Sequence, residues 1–154
     1  MGWTYISMVY SAGVYGDGAA ADIQNILRTT AADYGICLAV MARIPSAATD
    51  ADYDYIVDTL AADVKARIVI AYLQTSDQPG LFEAITRKDK AGWFVWIASD
   101  SMSNRVNSGY GDVLDGFFYV DLPSAVIPGL QDYVRSLIYN GTSNIPGDQV
   151  CYWI

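Results

Sequence analysis

The chain has 154 residues, the length of one domain built on one core. Hydrophobic residues make up 53% and charged residues 17%, which supplies apolar material for a core and excludes a disordered tail. The net charge of −8, with nine Lys and Arg scattered among seventeen acids, excludes the positive stripe that nucleic acid or an anionic membrane surface requires.

Tyr5 to Tyr10 is a β-rich apolar run, and the apolar start reads as a strand that begins at once. Met1 to Val9 has no basic segment and no cleavage signature, so the expectation is an excised fragment rather than a signal peptide. Ser11 to Gly16 reads as a turn because it holds two glycines and a serine. A helix is predicted from about Gly18 to Asp33, with Ile23, Ile26, Leu27, Ala31 and Tyr34 at helical spacing and Gly35 as its C-cap. Ile36 to Met41 is a continuous apolar run, as in a strand covered on both faces.

Pro45 to Asp50 is a loop whose end, Thr49 or Asp50, caps a second helix with an apolar face of Tyr53, Ile56, Val57, Leu60 and Val64. Arg67 to Leu73 is a third strand. Gln74 to Gln78 is a polar loop, and Pro79 suits the first turn of a third helix carrying Leu81, Ala84 and Ile85. Trp93 to Ile97 is a fourth strand, Ser99 to Gly111 a long polar stretch, and Phe117 to Val120 a fifth strand. Ser124 caps a last helix bearing Leu130, Tyr133, Val134, Leu137 and Ile138, followed by a polar tail from Asn140 to Ile154.

Strands alternating with helices predict an α/β fold, a three-layer sandwich with a mainly parallel doubly wound sheet. The strand near Thr4 is expected to be central. No internal boundary interrupts residues 1–154, so a single lobe is expected.

The chemistry available is narrow. There is no histidine, which removes the commonest general base and metal ligand and excludes a Ser-His-Asp triad, a Cys-His dyad and a His-based zinc site. Cys37 and Cys151 are the only thiols and cannot build a zinc site alone. Asp50, Asp52, Asp54 and Asp58 lack the glycine and closing glutamate of a calcium loop and read as a helix N-terminus complementing its dipole. No catalytic residue, metal or cofactor is expected. No apolar run reaches the ~20 residues that span a bilayer.

In an open parallel sheet, ligands bind beyond the carboxyl ends of the strands. The loops Ser11 to Gly16, Ala42 to Asp50, Gln74 to Gln78 and Asp100 to Arg105 qualify. Tyr15 is either an exposed turn tyrosine or a ring lying over a ligand cation. Asp100 either caps the segment Ser101 to Val106 or pairs with an ammonium group. Arg105 is either a solvated surface side chain or a carboxylate clamp. The first loop lacks both GxGxxG spacing and a GK[ST] ending, so it is not a phosphate cradle.

Trp3 to Ser7 followed by Ser11 to Asp17 resembles the WTYVS and (S/T)EG(D/N)YGE signature of metabotropic glutamate receptors. Gly35 to Ala39 is similar to their (N/G)(I/L)CIA strand, Lys65 to Ile70 to (K/S)ARVVV, and Trp96 to Asp100 to W(V/I)(A/G)SD. Order and spacing agree from Trp3 to about Leu137. The resemblance implies the second, membrane-proximal lobe of an extracellular Venus flytrap in a class C G-protein-coupled receptor. It implies an amino-acid ligand, with the first lobe, cysteine-rich domain and transmembrane bundle belonging to the parent, and a homodimer through that parent.

Carried across by position, the resemblance implies that Tyr15 packs on the ligand's ammonium and that Asp100 pairs with it. It implies that Thr75 lies near the ligand and that Arg105 stands near its distal carboxylate. Ser101 stands where the family usually has glycine. Val14 replaces Asp or Asn, and Ser101-Met102 replaces Gly-Trp. Cys37 and Cys151 resemble cysteines bonded to partners outside this segment. Asn140-Gly141-Thr142 is a glycosylation acceptor if the chain is secreted. Alternatives are the lobe of another periplasmic-binding-type receptor with a different small ligand, or a free-standing flavodoxin-like domain.

Overall fold

The computed structural model describes residues 4–29, 35–105 and 109–120, the side chains of 103–105 excepted. The chain divides into two units, Met1–Asp121 and Leu122–Ile154, and every described residue falls in the first. The predicted last helix, Asn140 and Cys151 lie outside the described residues.

Among the described residues ten elements follow one another. Strands β1 (Tyr5–Ser11), β2 (Cys37–Ile44), β3 (Ile68–Tyr72), β4 (Val95–Ala98) and β5 (Phe118–Tyr119) alternate with helices α1 (Val14–Thr29), α2 (Asp50–Ala61), α3 (Gln78–Arg87) and α4 (Gly111–Leu114). A 3-10 helix, Asp100–Arg105, follows β4 directly. The five strands form one sheet in the order β2-β1-β3-β4-β5, and every pairing is parallel. The fold is therefore the expected α/β one. β1 is interior, but the middle position belongs to β3.

This order, with right-handed crossovers, fixes the face on which each helix lies. The chain leaves β1 toward β2 on one side, then crosses back to place β3 on the other. Right-handed crossovers in opposite directions put α1 on one face and α2 with α3 on the other. The registers agree. Val9 faces Ala42 and Ala71, Val69 faces Trp96, and Ala71 faces Ala98. These residues share one sheet face and pack with Ile56, Val57, Leu60, Leu81, Phe82 and Ile85 in the core. Burying each of the larger aliphatic and aromatic side chains contributes about 1.5–3 kcal/mol.

Two boundaries differ from the sequence reading. The first helix begins at Val14, so Tyr15 and Gly16 lie in its first turn rather than in a turn before it. Gly16 is buried against Ser11, whose carbonyl oxygen would stand 2.0 Å from any Cβ there. The glycine thus serves a close backbone approach within a helix. Among the described strands the second is an edge strand, only partly buried along Leu38–Met41, not one covered on both faces. A bulge at Ala39, between the pairs Ile6–Leu38 and Ser7–Val40, interrupts its register.

Helix α2 begins as expected at Thr49. The Asp52 carboxylate accepts hydrogen bonds from the Thr49 backbone N–H at 2.8 Å and its hydroxyl at 2.7 Å. Pro79 sits in the first turn of α3.

Candidate functional site

The carboxyl ends of β1 and β3 are neighbours, yet their chains leave toward opposite faces. This divergence is the switch point where an open α/β sheet leaves a crevice. Three loops meet there. Ser11 is fully buried, and its hydroxyl accepts the Gln74 backbone N–H at 2.7 Å. The Gln74 amide Nε2 donates to the Ala12 carbonyl at 3.1 Å. Gly13, at φ 115°, lies so close to Gln74 that a Cβ would stand 3.3 Å from that Nε2. Only glycine takes this backbone conformation readily.

Tyr15 reaches from the first turn of α1 to the end of β4. Its hydroxyl donates to Ser99 Oγ at 2.6 Å, a contact between residues 84 positions apart. Its ring tilts against Tyr72 with centroids 5.8 Å apart. Ser99 Oγ lies 3.0 Å from Ser101 Oγ, and the Ser101 hydroxyl donates to the Leu73 carbonyl at 2.8 Å. The fully buried Gln78 donates from Nε2 to the Ser101 carbonyl at 3.1 Å. The loops after β1, β3 and β4 are tied together by side chains with no net charge.

Of the residues singled out in the sequence, Tyr15, Thr75, Asp100 and Ser101 follow β1, β3 and β4 at the same sheet edge. Tyr15 is 41% exposed, Asp100 and Thr75 are exposed, and Ser101 is half-buried. Asp100 opens the 3-10 helix, and Arg105 closes it with a side chain outside the described residues. Cys37 opens β2 as an exposed free thiol. Sequence reasoning missed Ser11, Gln74 and Ser99. They are uncharged polar residues at or just beyond strand ends, and only the shared edge reveals their bonds.

An ion pair flanks the crevice. Arg43, near the end of β2, donates to Asp17 through Nε at 2.7 Å and through its second terminal nitrogen at 2.9 Å. Asp17 also accepts the Gly13 N–H at 3.0 Å. The Arg43 hydrogen bond, then that of Gly13, holds the Asp17 carboxyl down at about 2. Among the described residues no group of acids and cysteines is arranged to hold a metal ion. No described helix is long and apolar enough to cross a membrane.

The edge where β1 and β3 diverge is where an open α/β sheet offers room for a small molecule, and comparison with known proteins gives the class. Residues 1–152 match the family model described as receptor family ligand binding region. The chain belongs to that family. Among its relatives is a metabotropic glutamate receptor of Drosophila melanogaster, 31% identical over 137 residues, covering 88% of this chain and 14% of the receptor. Human metabotropic glutamate receptor 8 is 28% identical over 138 residues, covering 88% and 15%. Metabotropic glutamate receptor 4 of Macaca fascicularis is 30% identical over 104 residues, covering 68% and 11%. The chain thus spans about one seventh of the length of the first two relatives.

Proposed function

We propose that this chain is the membrane-proximal lobe of a metabotropic-glutamate-type receptor's extracellular ligand-binding region. It contributes half of an amino-acid site and closes on the ligand against a first lobe carried elsewhere in the parent. It binds and signals, and does no chemistry of its own. Tyr15 offers its ring and hydroxyl oxygen to the ligand's ammonium, and Asp100 offers the opposite charge. Thr75 and Ser101 line the same edge, and Arg105 serves the distal carboxylate. Closure is the two-state element that the ligand biases.

One observation carries the reading. The 2.6 Å bond from Tyr15 to Ser99 brings the first turn of α1 to within one residue of Asp100. Tyr15 and Asp100, distant in sequence, thereby belong to the same sheet edge, which supports a site that pairs a π-face with a carboxylate to recognise a cation. The parent would hold the cysteine-rich and transmembrane domains, place this lobe outside the plasma membrane and pair as a homodimer. Cys37 and Cys151 would bond to neighbouring segments rather than to each other.

The test is substitution in the full-length parent receptor. Tyr15→Ala and Asp100→Asn should each raise the half-maximal amino-acid concentration at least about tenfold, the equivalent of about 1.4 kcal/mol. Surface expression should be unchanged. Unaltered concentration dependence in both variants would remove the ammonium site from this edge.

A further inference from the structure

The hydroxyl groups of Tyr15, Ser99 and Ser101 form a chain whose direction follows from counting protons. Each hydroxyl has one proton to give. Tyr15 donates its proton to Ser99. Ser101 donates its proton to the Leu73 carbonyl, which has none to return. In the 3.0 Å contact between the two serines, Ser99 must then be the donor. The sequence of bonds runs one way, from Tyr15 through Ser99 and Ser101 to the backbone of the loop after β3.

We propose that Ser101 is a positioning residue that sets the polarity of the binding crevice. By ending the chain on Leu73, it commits all three protons. Tyr15 is left facing the crevice with an acceptor oxygen and a ring face only. A ligand group at that place must be a hydrogen-bond donor, such as a primary ammonium. A carboxylate or carbonyl there would meet lone pairs. The inference rests on the amino-acid reading above and deepens it, since it assigns the choice of ligand end to a residue that need not touch the ligand. The surroundings suit this role. Ser99 is 9% exposed, and the Ser101 backbone carbonyl is itself held by the buried Gln78. The middle donor of the chain is therefore shielded, and its bond is not readily exchanged for a bond to water.

Without the Ser101 hydroxyl, Ser99 loses its acceptor and is free to donate back to Tyr15. The tyrosine proton is then available to the crevice, and the preference for donors disappears.

The experiment uses the whole chain carrying 13C at tyrosine Cζ, with Tyr15 assigned by Tyr15→Phe. In an equal mixture of H2O and D2O, a slowly exchanging hydroxyl splits its Cζ signal in two. Tyr15 should show two signals in the native chain and one averaged signal in Ser101→Ala. Ser101→Thr, which keeps the hydroxyl, should restore the pair. Ser99→Ala removes the middle member and should give the same collapse, so failure of one variant to fold leaves a second route to the answer.

Methylammonium chloride and tetramethylammonium chloride then serve as probes, the second being a cation with no N–H. The Tyr15 signal of the native chain should move with the first and at least about threefold less with the second. Ser101→Ala should abolish that difference. A pair of signals that persists in both alanine variants overturns the inference, whatever the probes do. An equal response of the native chain and Ser101→Ala to methylammonium also overturns it, while leaving the amino-acid reading intact. Collapse in the variants, with no response of the native chain to methylammonium, supports the hydroxyl chain but overturns its role in choosing the ligand end, while the amino-acid reading is decided by the substitutions in the full-length parent.

Discussion

Asp17 decides how α1 begins, because it holds both the Gly13 N–H and the Arg43 guanidinium. Its carboxyl falls from the ordinary 3.8 to about 2. A carboxyl held down in the folded state favours folding fully above its unfolded value and loses that contribution as pH falls through the folded one. The window for this pair is therefore between about pH 4 and pH 2. Arg43→Gln should lower the urea midpoint at pH 6, and the gap to the native chain should close as the pH is taken down to 2. The pair is exposed, so added salt should narrow the gap at every pH. A gap that stays constant with pH would assign the effect of Arg43 to packing. Gly16 is a second decisive residue. Gly16→Ala would drive a methyl into the Ser11 carbonyl, which backbone cannot easily yield. A loss of about 1–3 kcal/mol is expected from chemical denaturation, with Gly18→Ala, whose Cβ meets nothing within 4 Å, as the neutral control.

At the scale of elements, α2 and α3 pack as a pair over one sheet face, and their closest approach needs a missing side chain. A Cβ on Gly80 would stand 2.3 Å from the Tyr53 ring. The ring has little room to move, since its hydroxyl donates to Asp77 at 3.3 Å and it is part of the core. Burial, with Asp77 second, pushes the Tyr53 phenol up to about 12, so it stays neutral through ordinary pH. Gly80→Ala should cost about 1–3 kcal/mol, and the companion change Tyr53→Leu should recover part of it. The N-terminus of α2 depends on the two bonds that Thr49 donates to Asp52, from its backbone N–H and its hydroxyl. Thr49→Ala should destabilise the chain by ~1 kcal/mol in thermal or urea unfolding, with no change in sheet content. Helix α1 has a weaker hold. Its buried positions are Gly16 and Ala20, both small, so it rests on the sheet through close approach rather than large side chains.

For the whole molecule, the central expectation concerns affinity. This lone chain should bind amino acids no tighter than the millimolar range. An exposed ion pair such as Asp100 with an ammonium is worth ~0–1 kcal/mol. A solvent-exposed contact with the Tyr15 ring adds ~0.5–1 kcal/mol. A millimolar complex already requires about 4 kcal/mol, before the lost freedom of association is counted. Calorimetry with a panel of amino acids measures this directly. Micromolar binding by this chain would mean that the site is complete within it and would end the half-site reading.

What the amino-acid sequence determined by itself is periodic and local. Alternating apolar runs and helical stripes gave the order of strands and helices, because side-chain burial repeats every two residues in one and every 3.6 in the other. Thr49 and Pro79 marked helix starts through hydrogen bonds and φ preferences that act within a few residues. Asp100 stood out because it directly follows an apolar strand, and Tyr15 because it stands between two glycines in the loop after one. Tertiary structure decided what depends on pairing. Nothing in the apolar run of β2 distinguishes an edge strand from an interior one, since the difference is the absence of a neighbour on one side. Gly16 reads as a turn until Ser11 is seen pressed against it. The hydroxyl chain from Tyr15 to Leu73 joins three loops that only the parallel sheet brings to one edge, and no local pattern records which of their protons is spent on which partner.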